Sequence, residues 1–208
     1  MSRIVVFGAG GRAGRAAVAE AVRRGHGVTA VVRSPEKYGA AADGVRVVAG
    51  DNTDAGSIAE AAAGHDAAIS AVYDFAADPS EFFVNATRAL ADGLGKAGVR
   101  RLVWVGLASV LPTASGELLM DTPGYPNEYR SFYLGHAAGA DVLRATEGLD
   151  WVTLSPAGDF DHEGTATGSY RIAAGDAGAR ITYADFALAL LDEIEAPTHH
   201  RSHVGVTS

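Results

Sequence analysis

The segment Ile4-Val5-Val6-Phe7-Gly8-Ala9-Gly10-Gly11-Arg12-Ala13-Gly14 constrains this chain more than any other. An apolar run feeds a glycine turn, and an Ala-rich helical pattern follows it directly. Gly8 lets the strand turn sharply, Gly11 removes the Cβ that would block a pyrophosphate, and Gly14 lets the helix pack close to the sheet. The helix starting near Arg12 aims its free N–H groups and positive dipole end at an anion. Any tight turn can use glycines. Here the context of strand, turn, helix and second strand is that of a dinucleotide-binding βαβ unit.

A chain of 208 residues suits one domain and is long enough to bury about 70% of its unfolded surface. Hydrophobic residues make up 48% and charged residues 20%, so the chain has ordinary globular composition and is not disordered. A formal net charge of −8 disfavours nucleic acid or an anionic membrane surface as the main partner. The absence of cysteine excludes disulfides, iron–sulfur clusters and thiol nucleophiles. Residues 1–7 already read as a core strand, with no signal-peptide pattern and no apolar run near the length of a membrane span. The expected location is cytoplasmic, with the oligomeric state, monomer or dimer, left open.

Apolar runs alternate with amphipathic segments through the first two thirds of the chain. Strands are expected at about 3–8, 27–33, 45–49, 66–72, 101–106 and 150–155, and helices at about 12–25, 54–63, 79–97 and 127–147. Runs such as Ala67-Ala68-Ile69-Ser70-Ala71-Val72 and Arg101-Leu102-Val103-Trp104-Val105 are nearly continuous in apolar character, as strands covered on both faces are. The fold expected is α/β: one Rossmann-type domain over residues 1–208, with a doubly wound parallel sheet and helices on both faces. Loop-rich stretches at about 108–135 and 157–180 are expected to form a small cap on the substrate side. Ser169-Tyr170-Arg171-Ile172 suggests a hairpin, and Thr182 caps a last helix, Tyr183 to Glu195, stopped by Pro197.

The second strand ends Val31-Val32-Arg33-Ser34, where NAD-binding folds place an acidic residue for the ribose 2′-hydroxyl. Arg33, with Arg12, instead suits a 2′-phosphate, which favours NADP (NADPH) over NAD; the alternative is a solvated surface arginine. Asp51, after the third strand, either accepts from the adenine amino group or a backbone N–H, or caps the next helix.

These residues, together with the Gly50-Asp51 pair, Ser70-Ala71-Val72 and Asp150-Trp151-Val152-Thr153-Leu154-Ser155-Pro156-Ala157, resemble the atypical short-chain dehydrogenase/reductases. Within them the chain is most similar to the NAD(P)H-binding, NADH-flavin-reductase-like and NmrA-like proteins, over nearly its whole length. The resemblance implies NADPH laid across the strand C-termini. Ser70, Ala71 and Val72 would run past the nicotinamide ribose, and Ser155, Pro156 and Ala157 would border the nicotinamide.

Carbonyl-reducing members of that superfamily carry a Tyr-x-x-x-Lys pair, whose ammonium lowers the tyrosine pKa. This chain has only Lys37 and Lys96, both upstream of the relevant helix. Tyr133 and His136, three apart, are the substitute candidates for a proton donor, against the alternative of a packed aromatic and a satisfied imidazole. Ser109, after the fifth strand, is a candidate substrate-binding hydroxyl. Hydride transfer to a conjugated acceptor mainly needs stacking, with the proton taken from water, so the missing pair is tolerable. Tyr73, Phe75, Phe160 and Tyr170 are candidate aromatic walls for a planar acceptor. His199-His200-x-x-His203 lacks a recognised ligand pattern, and no metal is expected. The expectation is therefore an NADPH-dependent reductase of a small planar acceptor such as a flavin or quinone. A non-catalytic NAD(P)-binding redox sensor is the alternative, and an epimerase or dehydratase stands third.

Overall fold

In the computed structural model, which describes residues 1–74 and 76–208, each apolar run of the first two thirds becomes a strand of one sheet. Strands β1 (Arg3–Phe7), β2 (Gly27–Val32), β3 (Val45–Ala49), β4 (Ala67–Ser70), β5 (Arg101–Val105) and β6 (Asp150–Pro156) alternate with α1 (Arg12–Arg23), α2 (Ala55–Ala62), α3 (Pro79–Ala97) and α4 (Arg130–Ala145). Then come β7 (Asp159–Asp161), β8 (Arg171–Ala173), β9 (Arg180–Thr182), α5 (Tyr183–Glu195) and β10 (Ser202–Thr207).

The main sheet has eight strands in the order β3-β2-β1-β4-β5-β6-β10-β8, all parallel except β8 against β10. Both faces are covered. Ile4, Val6, Val28, Ala30, Val103 and Leu154 pack against α1 and α5, while Val5, Phe7, Val31, Leu102, Trp104 and Trp151 pack against α2, α3 and α4. Neighbouring residues on one strand thus serve opposite cores, which is why the strands read as continuous apolar runs rather than alternating ones. The architecture is a Rossmann-like doubly wound sheet in a single domain.

Helix starts follow side-chain chemistry. Asp54 accepts from the N–H of Gly56 and Ser57 at the start of α2, Asp78 from Ser80 and Glu81 at the start of α3, and Thr182 from Asp185 at the start of α5. The cap of α2 is therefore Asp54, not Asp51. Helix α4 is shorter than its pattern suggested, beginning at Arg130 rather than 127.

The chain after β6 departs from expectation. The stretch around Ser169–Ile172 makes no hairpin; β8 pairs with β10 instead, Ile172 opposite Val206. The segment beyond Pro197 enters the sheet as β10, parallel to β6, after a turn at Arg201 with φ 47°. Strands β7 and β9 form a separate two-stranded parallel ribbon. Among the described residues, no helix is long and apolar enough to cross a membrane.

Candidate functional site

The strand order reverses between β1 and β4, and ligands of open α/β sheets sit at that point, outside the strand C-termini. The glycine turn lies there. Gly8 has φ 74°, and a methyl on it would overlap the Ala71 carbonyl at the end of β4. A methyl on Gly14 would overlap the Gly8 oxygen. These two glycines are required by the protein itself, one for backbone conformation and close approach, the other for packing the helix on the strand.

Gly10 and Gly11 differ. A methyl on Gly10 would meet Val32 Cγ1 at 3.6 Å and one on Gly11 the Gly8 oxygen at 3.5 Å, both ordinary contacts, and neither residue has a positive φ. The fold has no use for their missing side chains. A group lying against the turn does. Gly11 also leaves α1 without a side-chain cap and with no acidic residue in its first turn. The N–H groups of Arg12, Ala13 and Gly14 thus open the helix, and its positive end is uncompensated by any side chain there. The turn fits the diphosphate of a dinucleotide on both counts. Arg15 braces it from outside by donating to the carbonyls of Gly10, at 3.1 Å, and Tyr38, at 2.9 Å.

Beside the turn opens a cavity of about 660 Å³, lined by Arg33, Asp51, Thr53, Val72, Tyr73 and Asp74 among others. That volume falls within the range of small-molecule sites. Asp51 accepts from Thr53 N at 2.8 Å and Thr53 Oγ1 at 2.7 Å, bonds that hold its carboxyl below the usual carboxylate range. The Arg33 guanidinium, largely exposed, donates to Asp74 Oδ2 at 2.6 Å. Sequence reasoning placed Arg33 here but missed its partner.

On the other side of the turn, Arg12 donates to His162 Nδ1 at 2.7 Å, and Tyr183 lies on Phe160 with ring centroids 4.1 Å apart. The loop before β8 is bolted down by Asp185. This fully buried carboxylate accepts from Thr167 N, Gly168 N and Thr182 Oγ1 at 2.8 to 2.9 Å. Phe160 and Tyr170 are thereby absorbed into packing, the Tyr170 hydroxyl donating to Asp192. Phe75 lies outside the described residues.

At the far end of the edge, Ala71 and Val72 lead away from β4, whereas the Ser70 side chain is fully buried and lines a small internal cavity with Asn52 and Trp104. Pro156 and Ala157 are buried beneath the segment that follows β8, whose Asp176 N donates to the Ala157 carbonyl at 2.9 Å. Ser155 is also buried, and its hydroxyl meets His203 Nε2 at 2.7 Å. Ser109 sits in a single 3-10 turn, Ala108–Val110, fully buried.

Tyr133 packs with Val110, Met120 and Tyr125. Burial raises its pKa, and Glu128, Tyr129 and Asp159 add to the rise. The direction is opposite to that of a lysine-assisted tyrosine. His136 is enclosed by Phe83, Trp104 and Phe132, its ring 4.4 Å from the Trp104 indole. Burial, reinforced by His203, pushes its pKa down to about 3. At neutral pH the imidazole is held in its neutral form, because its surroundings are apolar and aromatic and penalise the cation. The three C-terminal histidines part company, His199 going to Glu193, His200 to Asp150 and His203 to Ser155. No group of three or more metal-binding side chains converges among the described residues.

A doubly wound sheet with a bare helix N-terminus at its switch point defines a dinucleotide-binding protein of the Rossmann type. The sequence matches the NAD(P)H-binding family over residues 8–197, and the chain belongs to that family. Three solved structures illustrate the likeness. One is a "putative exported protein" from Burkholderia pseudomallei, 37% identical with a TM-score of 0.86, the match covering 100% of both chains. Another is a "putative NADH-flavin reductase" from Streptococcus pneumoniae, 30% identical with a TM-score of 0.86, again over 100% of both chains. The third is a "putative epimerase" from Bacteroides thetaiotaomicron, 32% identical over 99% of this chain and 96% of that one, with a TM-score of 0.87. Their names differ in activity while their folds agree. The resemblance to NAD(P)H-binding proteins read from the sequence is thereby shown, and a nicotinamide coenzyme is the family's ligand class.

Proposed function

We propose that the protein is an NADPH-dependent reductase that delivers hydride to a small planar conjugated acceptor such as a flavin or quinone. The observation that carries the reading is the glycine turn, where Gly10 and Gly11 leave room the fold does not need beside an uncapped helix. Arg33 at the end of β2 supports the phosphorylated coenzyme over NAD(H). When bound, the reduced nicotinamide supplies the hydride, and the acceptor draws its proton from solvent. Two similar proteins support opposite finer assignments, one named for flavin reduction and one for epimerisation. The absence of a lysine after Lys96 and the raised pKa of Tyr133 favour the former, because epimerisation through a transient ketone needs an activated acid–base residue.

The chain's own contribution is placement. The turn and Arg12 would hold the diphosphate, Arg33 the 2′-phosphate, and Ala71, Val72, Pro156 and Ala157 the walls of the nicotinamide end. Tyr133 would be the protic group at the acceptor end, a hydrogen-bond donor that keeps its proton, whereas Ser109 is enclosed in its 3-10 turn. Incubating the pure protein with NADPH and a panel of flavins and quinones, and following the absorbance of the reduced nicotinamide, tests the proposal. Acceleration over buffer is expected for at least one acceptor; none for any acceptor refutes it.

The burial of Pro156, Ala157 and Ser109 favours a second reading, a coenzyme sensor without turnover. Such a protein binds the two redox forms with different affinities. Equal affinities remove that reading.

A further inference from the structure

We infer that Asp74 sets how strongly the protein prefers the 2′-phosphorylated coenzyme, by competing with the phosphate for Arg33. The inference rests on the coenzyme reading above. Strands β2 and β4 are not neighbours, since β1 lies between them. Arg33 follows β2 and Asp74 follows β4, so their 2.6 Å ion pair arches over the end of β1, where the glycine turn begins. Both residues line the cavity beside that turn. The pair is a clasp across the path of the adenosine ribose.

Asp74 is built to stay in place. Its second oxygen accepts from Ala76 N at 3.0 Å, which fixes the carboxylate before Arg33 arrives. The neighbouring guanidiniums are spoken for differently, Arg15 by the carbonyls of Gly10 and Tyr38, and Arg12 by His162. Arg33 is thus neutralised by a carboxylate, and the other carboxylate of the cavity, Asp51, adds a negative charge. A 2′-phosphate, with close to two negative charges and three acceptor oxygens, must displace Asp74 to reach the guanidinium. A 2′-hydroxyl needs no such exchange, because it is uncharged and does not compete with Asp74 for the guanidinium. Asp74 therefore narrows the advantage that Arg33 gives to NADPH.

Dissociation constants for NADPH and NADH, measured by titration calorimetry on the full chain and on Asp74→Asn, Arg33→Gln and the double variant, test this. Asparagine keeps the acceptor for Ala76 N while removing the charge, and Asp74→Ala provides a second neutral side chain should the first fail to fold. The neutral variants are expected to tighten NADPH about fivefold, the worth of one exposed ion pair at about 1 kcal/mol, with NADH changed less than about twofold. In the Arg33→Gln background the selective gain should vanish. Equal gains for both coenzymes, an unchanged ratio, or a gain that persists without Arg33 overturns the inference. Failure of the unaltered protein to bind either coenzyme would instead overturn the coenzyme reading on which it stands.

Discussion

Acidification from about pH 7.5 to about pH 5 should cost this protein about 2 kcal/mol more stability than it costs a His136→Phe variant. The imidazole of His136 is enclosed by Phe83, Trp104 and Phe132, and its pKa falls from 6.5 to about 3. In the unfolded chain it takes a proton as pH drops below about 6.5, while in the folded chain it does not until about 3. The stability that comes from keeping it neutral is therefore complete above about 6.5 and is lost progressively as pH descends. Over the roughly 1.5 units between 6.5 and 5, at about 1.4 kcal/mol per unit, the loss is about 2 kcal/mol. His203, with its pKa lowered to about 4, titrates in both proteins and cancels in the difference. Phenylalanine suits an aromatic cage, and any overpacking cost shifts the curve without tilting it. Urea unfolding followed by far-ultraviolet circular dichroism at several pH values reads the difference. Parallel curves for the two proteins, within about 0.5 kcal/mol, would refute the reasoning and show the imidazole to be solvated.

Gly11→Ala should leave stability within about 1 kcal/mol in chemical denaturation yet weaken coenzyme binding at least about tenfold, whereas Gly8→Ala, at positive φ and against the Ala71 carbonyl, should destabilise by about 2 kcal/mol or more. Asp185→Asn cannot accept at both oxygens and should speed amide hydrogen exchange at Thr167 and Gly168 ahead of global unfolding. Arg101→Met strands the buried Glu193 carboxylate, its partner at 2.7 Å, and should cost about 3 kcal/mol in urea unfolding, with a smaller loss if Glu193 is changed to Gln as well.

The first six strands were legible because each is a run of five or so apolar residues, and a run covered on both faces keeps that signature in isolation. Three-residue strands such as β7, β8 and β9 are too short to show a period, so they read as loops. Strand β10 escaped for a different reason: Ser202-His203-Val204-Gly205-Val206-Thr207 has two large apolar residues, and the histidines before it suggested surface chemistry instead. The glycine turn was readable because strand, glycines and helix follow one another directly in a single short stretch of sequence. Asp74 was not, because its partner Arg33 lies 41 positions away across an intervening strand, and no local pattern encodes such a pairing. Asp185 showed only as part of a helix start, three residues after Thr182; its second task, holding Thr167 and Gly168, depends on a loop whose path is set by tertiary contacts.

The position of β10 bears on how the molecule is made. Val152 and Leu154 on β6 gain their second neighbour only when residues 202–207 have left the ribosome, so a nascent chain carries an open, apolar sheet margin until that segment emerges. Ribosome-stalled chains ending shortly before Ser202 should accordingly recruit chaperones more heavily than those stalled a few tens of residues past it, once a linker has carried the last strand clear of the exit tunnel.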